Sequence, residues 1–167
     1  MAPLVRRTWA PCGKTPILKQ RTRSHEKVSA IAAISLSPAY RKANLYFRLL
    51  SHSAIRAPHV RDFVRHLLRQ IKGALFIVWD RGRTHQAKKV MSMVLEHKRL
   101  CLVNFPPYAP ELNPVEYLWS YLKSVPLANR PELTIDSLKK SAFRSSRSVQ
   151  HKPDLLQSFA KHSSLFL

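Results

Sequence analysis

Two acidic residues of this sequence have the type and spacing to act together in catalysis. Asp80 follows a continuously apolar run at 74–79, and Glu116 follows the dipeptide Asn113-Pro114. If the run is a strand and Asn113 begins a helix, both carboxylates can meet at one edge of an α/β sheet. Paired carboxylates suit Mg²⁺ or Mn²⁺, and two such ions can stabilise the attacking and leaving oxygens in phosphodiester chemistry.

Each of the two acids also has a purely structural explanation, and the residue pattern does not decide between this explanation and a catalytic role. Asp80 could form a turn or cap the next helix. Glu116 lies at the third position of a helix that Asn113 would cap and Pro114 would begin, where a capping-box acid reaches back to the cap. Taken singly, each acid favours the structural explanation, and only their pairing favours a metal site.

The composition indicates a polyanionic partner. Lys and Arg number 29 against 9 Asp and Glu, a net charge of +20. Residues 1–75 hold 15 of the basic and 2 of the acidic side chains, and this excess favours nucleic acid over a merely solvated surface. Cys12 and Cys101 form no CxxC or Cys/His cluster, which argues against a zinc site or a disulfide scaffold. With no apolar run of bilayer length and no signal peptide, we expect a soluble protein without a membrane partner.

The hydrophobic periodicity predicts an α/β fold. Continuously apolar or β-branched runs predict strands, and i, i+3, i+4 spacing predicts helices. An antiparallel strand pair should precede a right-handed βαβ unit, with the third strand buried on both faces and Cys101 buried in the fourth. The predicted elements are strands at 27–36, 44–50, 74–79 and 100–105, helices at about 60–71, 84–97 and 114–123, and a tail from Pro131 that is helical to about Arg147.

Two motifs carry a family resemblance. The segments WDRGRTH at 79–85 and PPYAPELNPVEYLW at 106–119 resemble the second and third catalytic motifs of DDE-superfamily transposases, in the insertion-sequence group related to mariner elements. The segment RRTWAPCGKTP at 6–16 is similar to the stretch that follows the first motif. The resemblance implies a ribonuclease-H-like fold, a mixed sheet flanked by helices. It also implies metal-dependent cleavage of transposon ends and strand transfer into target DNA, with Asp80 and Glu116 as the catalytic, metal-binding carboxylates for two Mg²⁺ or Mn²⁺ ions.

The resemblance also implies a departure from the family pattern. The first catalytic Asp of the family lies shortly upstream of the RRTWAP segment, but the sequence begins five residues before Arg6. Glu26 and Asp62, the acids ahead of Asp80, are poor substitutes. We therefore expect that the first strand, central in the family sheet between the second and fourth, is missing from a truncated transposase. This expectation leaves open whether the chain is an enzyme or a catalytically dead, basic DNA-binding remnant.

The remaining expectations concern the surroundings of the two acids. We expect Arg81, Arg83, His85 and Tyr108 to contact nucleic acid, the Arg residues through phosphates and Tyr108 through stacking on a base. The alternatives are a solvated turn for Arg81 and Arg83 and an exposed helix-start histidine for His85. For Tyr108 the residues themselves favour the alternative, which is packing of the proline loop onto the domain. Asn113 and Pro114 are expected to shape the site.

The expected organisation is a basic N-terminal segment at 1–27, an incomplete catalytic core at 28–125 and a helical tail at 126–167. The expected partner is double-stranded DNA, both transposon ends and target, and a homodimer is left open. The expected location is the cytoplasm of a bacterium, in association with the nucleoid.

Overall fold

The computed structural model of the chain describes residues 6–17, 27–38, 42–130, 132 and 134–163. Glu26 and Pro131, which enter the expectations above, lie outside the described residues. The described part of the N-terminal segment, 6–17, is exposed and forms no helix or strand. Its start is held by the Asn129 side chain, which accepts from the Arg6 N–H at 2.7 Å and donates to the Arg6 carbonyl at 2.8 Å.

The order of elements follows the prediction, with two differences in the helices. The helix after Asp80 begins at Lys88, later than predicted, because residues 83–86 form turns. The tail holds a second helix beyond Arg147, where the sequence predicted weak order. The elements are β1 (Ser29–Leu36), β2 (Ala43–Leu50), α1 (Ala57–Gln70), β3 (Leu75–Trp79), α2 (Lys88–Glu96), β4 (Leu100–Asn104), a 3-10 turn (Pro110–Leu112), α3 (Pro114–Ser124), α4 (Ile135–Gln150) and α5 (Pro153–His162).

The four strands form two separate pairs. β1 and β2 are antiparallel, with Ser29 opposite Leu50, and β3 and β4 are parallel, with Leu75 opposite Leu100. Both pairings confirm the prediction. Within the described part of the chain no strand lies between β1 and β3, and these two do not pair with each other.

The first core lies between the antiparallel pair and the three C-terminal helices. Alternate residues of β1 contribute to it, because successive side chains of a strand point to opposite faces. Leu45 of β2 and Leu118 of α3 are fully buried at its centre. The buried members of the first core are Val28, Ala43, Leu45, Leu49, Leu118, Leu122, Leu127, Ile135, Leu138, Ala142, Val149, Leu156 and Phe159.

The second core lies on the opposite face, between α1, α2 and the parallel strand pair. Ile31 and Ala33 of β1 pack against it, so that β1 has apolar neighbours on both faces. The buried face of α1 is the one that the periodicity predicted. The buried members of the second core are Val60, Phe63, Val64, Leu67, Leu68, Leu75, Val90, Met93 and Leu100.

The parallel pair is covered on one face only, and the prediction that β3 is buried on both faces is wrong. Phe76 is 69% exposed, and Val78 beside it is also exposed. Their partners in β4, Cys101 and Val103, are exposed as well, which corrects the expectation that Cys101 is buried. The helices α1 and α2 cover the other face, so that an apolar surface of four side chains remains uncovered among the described residues.

Candidate functional site

Asp80 is placed by the end of the parallel strand pair. It follows Trp79, whose carbonyl accepts from the Phe105 N–H at 2.8 Å, so β3 and β4 end at the same sheet edge. The Asp80 side chain is 64% exposed. Its Oδ1 accepts from the Gly82 N–H at 2.8 Å, the geometry of an Asx turn. The turn explanation of Asp80 is thus correct, but it uses only one carboxylate oxygen.

His85 lies directly against Asp80. Its Nδ1 is 2.7 Å from Asp80 Oδ1, and its ring stacks on Trp79 with centroids 4.8 Å apart and planes 2° apart. The side chain is only 21% exposed. The expectation of an exposed histidine at a helix start is wrong, because His85 lies within the turn that precedes α2.

The absence of a side chain at Gly82 leaves space for the Asp80 carboxylate. A Cβ atom built on Gly82 would lie 2.8 Å from Asp80 Oδ1 and 3.5 Å from His85 Nδ1. Neither the role of Gly82 nor the stacking of Trp79 on His85 was predicted from the sequence. The Asp-x-Gly spacing, which is typical of an Asx turn, was the available signal.

Arg81 and Arg83 are exposed on either side of Gly82. Neither forms an ion pair with an acid among the described residues. Their guanidinium groups are therefore free to bind an anion next to Asp80.

Glu116 lies in the first turn of α3, on the polypeptide that follows β4. Asn113 caps this helix as predicted, with its side-chain oxygen accepting from the Val115 N–H at 3.1 Å, and Pro114 is the buried first residue. Glu116 is exposed, and its carboxylate forms no capping box with Asn113. The capping explanation of Glu116 is therefore wrong, and its carboxylate accepts no hydrogen bond from the described residues.

Tyr108 stands out from the proline loop between β4 and α3. It is fully exposed and adopts a positive φ of 58°, uncommon for a residue other than glycine. The alternative that Tyr108 packs the loop onto the domain is therefore wrong.

The structure brings Asp80 and His85 into contact but does not join Glu116 to them by any hydrogen bond or ion pair within the described ranges. In those same residues, no group of three His, Cys, Asp or Glu side chains is placed to hold a metal ion. The available donors are carboxylate oxygens, Oδ2 of Asp80 and the Glu116 carboxylate. Oxygen donors of this kind fit Mg²⁺ or Mn²⁺ and would leave most of the coordination to water and substrate.

A cavity of about 340 Å³ lies elsewhere, at the start of β1. Ile55 of the second core and Trp119 of the first both line it, as do Lys27 and Lys123. It includes none of the predicted site residues.

The alternating strands and helices, with a carboxylate at the end of the parallel pair, define a mixed α/β domain, the class of fold that the ribonuclease-H-like resemblance implies. The sequence matches the family described as DDE superfamily endonuclease over residues 2–139, and the chain belongs to that family. No curated protein matches the sequence.

Solved structures of Mos1 transposase have a similar fold. The Mos1 mariner paired-end complex with Mn has a TM-score of 0.56 at 16% identity, covering 97% of this chain and 53% of that one. The Mos1 paired-end complex with the left transposon end has a TM-score of 0.55 at 16% identity, and the Mos1 strand transfer complex has 0.52 at 15%. Each of these two matches covers 96% of this chain and 52% of the Mos1 chain. This chain therefore spans about half the length of the Mos1 chains.

None of the helices in the described ranges combines the length and the apolar character needed to cross a bilayer.

Proposed function

We propose that this chain is the catalytic domain of a transposase that cleaves DNA strands and transfers them with the help of divalent metal ions. The observation that carries the proposal is the Asp80 carboxylate, which is held at the end of parallel strands, is 64% exposed, and has its hydrogen bonds from the described residues at Oδ1 and none at Oδ2. Its support is the membership of the DDE superfamily endonuclease family and the fold shared with Mos1 transposase.

In this proposal Asp80 and Glu116 hold two Mg²⁺ or Mn²⁺ ions. When bound, the ions would stabilise the attacking and leaving oxygens of a phosphodiester. Arg81 and Arg83 bind the phosphates that flank the reacting bond, since neither cation is used by an acid of the described protein. Asn113 and Pro114 fix the start of α3 and so the place from which Glu116 acts.

The proposed substrate is double-stranded DNA carrying transposon ends. The net charge of +20 supports a polyanionic substrate, and the similar Mos1 structures are complexes with transposon ends or of strand transfer. The exposed Tyr108, in the loop that leads to Glu116, is proposed to stack on a base exposed when DNA is distorted. Replacing Tyr108 with Leu should then weaken binding of duplexes with an unpaired base more than binding of fully paired duplexes.

A second candidate is a basic DNA-binding protein without catalysis. It is favoured by one observation: among the described residues, no group of three His, Cys, Asp or Glu side chains lies together where it could hold a metal ion. In this case the chain binds DNA with an affinity that falls steeply with salt and that ignores sequence.

The test measures Mg²⁺-dependent nicking of an end-bearing duplex together with Mn²⁺ binding by electron paramagnetic resonance. The catalytic proposal expects Mn²⁺ binding that Asp80→Asn weakens. In a protein extended upstream to include the first catalytic Asp that the family resemblance implies, it also expects nicking that Asp80→Asn and Glu116→Gln each reduce by at least about 100-fold, with DNA affinity retained. Asp136→Asn, at an exposed acid on α4, is the matched control and should leave nicking unchanged. DNA binding without nicking, and Mn²⁺ binding that Asp80→Asn does not alter, would favour the second candidate.

A further inference from the structure

We infer that His85 is a positioning residue that fixes the Asp80 carboxylate in a single orientation, with Oδ1 occupied and Oδ2 presented to the metal ion. This inference rests on the proposed function, because it concerns the same site. It gives His85 a different role from the contact with nucleic acid that the sequence predicts.

The hydrogen bonds at Oδ1 carry the inference. A carboxylate only accepts, so His85 Nδ1 must carry a hydrogen to lie 2.7 Å from Oδ1. The Gly82 N–H donates to the same oxygen at 2.8 Å. Two donors converge on Oδ1, and Oδ2 accepts none from the described residues. The carboxylate would therefore bind a cation through Oδ2.

The His85 ring is itself held in place. It lies face to face with the Trp79 ring, and Trp79 is the last residue of β3. The imidazole is mostly shielded, whereas the carboxylate that it contacts is mostly exposed. Strand β3 thus positions Asp80 in two ways. The backbone of Asp80 continues from the strand, and the Asp80 side chain contacts His85, which stacks on Trp79 of the strand. Such outer partners orient metal-binding carboxylates in many proteins.

Gly82 supports the same orientation from the opposite direction. An added Cβ would lie 2.8 Å from Oδ1, so any larger residue must displace the carboxylate or the turn. The backbone of Gly82 does not have a positive φ, so Gly82→Ala disturbs the carboxylate rather than straining the backbone.

The test uses the fact that Asn and Gln mimic different nitrogens of histidine. The amide nitrogen of Asn lies close to the position of Nδ1, whereas that of Gln lies close to Nε2. We expect His85→Ala to weaken Mn²⁺ binding about 10-fold, His85→Asn to restore most of the affinity, and His85→Gln not to restore it. Gly82→Ala should resemble His85→Ala. His66→Ala, at an exposed histidine of α1, is the control and should bind Mn²⁺ like the wild type.

A readout without metal separates this inference from the proposed function. The Gly82 amide hydrogen should exchange faster with solvent in His85→Ala than in the wild type or His85→Asn, because the carboxylate that accepts it is no longer fixed. Unchanged Gly82 exchange in His85→Ala overturns the positioning role. Equal Mn²⁺ affinities in His85→Asn and His85→Gln also overturn it, provided that Asp80→Ala itself weakens Mn²⁺ binding. If Asp80→Ala leaves Mn²⁺ binding unchanged while Gly82 exchange still depends on His85, the metal site fails and the positioning of Asp80 stands.

Discussion

The antiparallel pair β1–β2 and the parallel pair β3–β4 have similar apolar sequences but different surroundings. β1 contacts the first core with one face and the second core with the other, whereas the parallel pair contacts only the second core. Phe76 and Val103 are consequently exposed, although strands of this composition are usually buried on both faces. The Asp80 carboxylate stands at the end of the less covered pair. An apolar run in the sequence therefore predicts a strand, but it does not predict whether one or both faces of that strand are buried.

The largest expected difference between the two pairs is in how much the free energy of unfolding falls when one apolar side chain of each pair is truncated. Leu45→Ala in β2 should lower the free energy of unfolding by about 2–5 kcal/mol, because it opens a cavity in the first core. Phe76→Ala in β3 removes a larger side chain but should cost less than about 1 kcal/mol, because Phe76 is mostly exposed. Urea denaturation of both variants measures the difference. Equal losses would show that β3 is covered as well as β2.

Substitution of Arg99 measures the contribution of the hydrogen bonds between the start of β4 and the end of α1. This residue precedes β4, and its guanidinium donates to the carbonyls of Leu68, Ile71 and Gly73 at the end of α1, the last two at 2.8 Å. Charged donors to otherwise unpaired helix carbonyls stabilise strongly. Arg99→Ala should therefore cost about 1.5–3 kcal/mol in the same denaturation experiment. Lys98→Ala, at an exposed neighbour, is the control, and a loss as large there would contradict a specific role for Arg99.

The sequence predicted the order of elements well because each depended on local patterns. The β-branched runs marked the strands, and Asn113 with Pro114 marked the start of α3. The coverage of β3 could not be predicted, because it depends on where distant helices pack. The position of His85 depends on a turn between two elements, and the periodicity that extended α2 back to 84 concealed it. The contact between His85 and Asp80 thus required the structure.

The cap of α3, the helix that follows the parallel pair and packs into the first core, provides a smaller test. Asn113→Ala removes the acceptor of the Val115 N–H and should cost about 1 kcal/mol. Asn113→Asp keeps an acceptor and adds a charge that the start of a helix favours, so it should retain the stability. Thermal unfolding monitored by circular dichroism compares the two. If both variants are equally destabilised, the cap is not the source of the effect.

The smallest effect is expected at Glu132, near the start of α4 in the first core region. The Ser141 hydroxyl donates to the Glu132 carboxylate and is the largest cause of a lowered pKa for this carboxyl; the nearby Ser137 hydroxyl and the charge of Arg130 lower it further, against the opposing effect of burial. A lowered pKa in the folded state means that the ionised form contributes stability above the unfolded pKa. That contribution is lost as the pH falls through the lowered pKa of the folded state.

Glu132→Gln should accordingly lower the free energy of unfolding by less than about 1 kcal/mol at neutral pH, and the difference from wild type should shrink as the pH falls through the folded pKa. Glu111→Gln, at an exposed acid in the 3-10 turn, is the matched control and should show no such trend. The measurement is urea denaturation across a pH series. A difference for Glu132→Gln that grows on acidification would contradict the lowered pKa, because a carboxyl stabilised in its ionised form must lose that stabilisation when it is protonated.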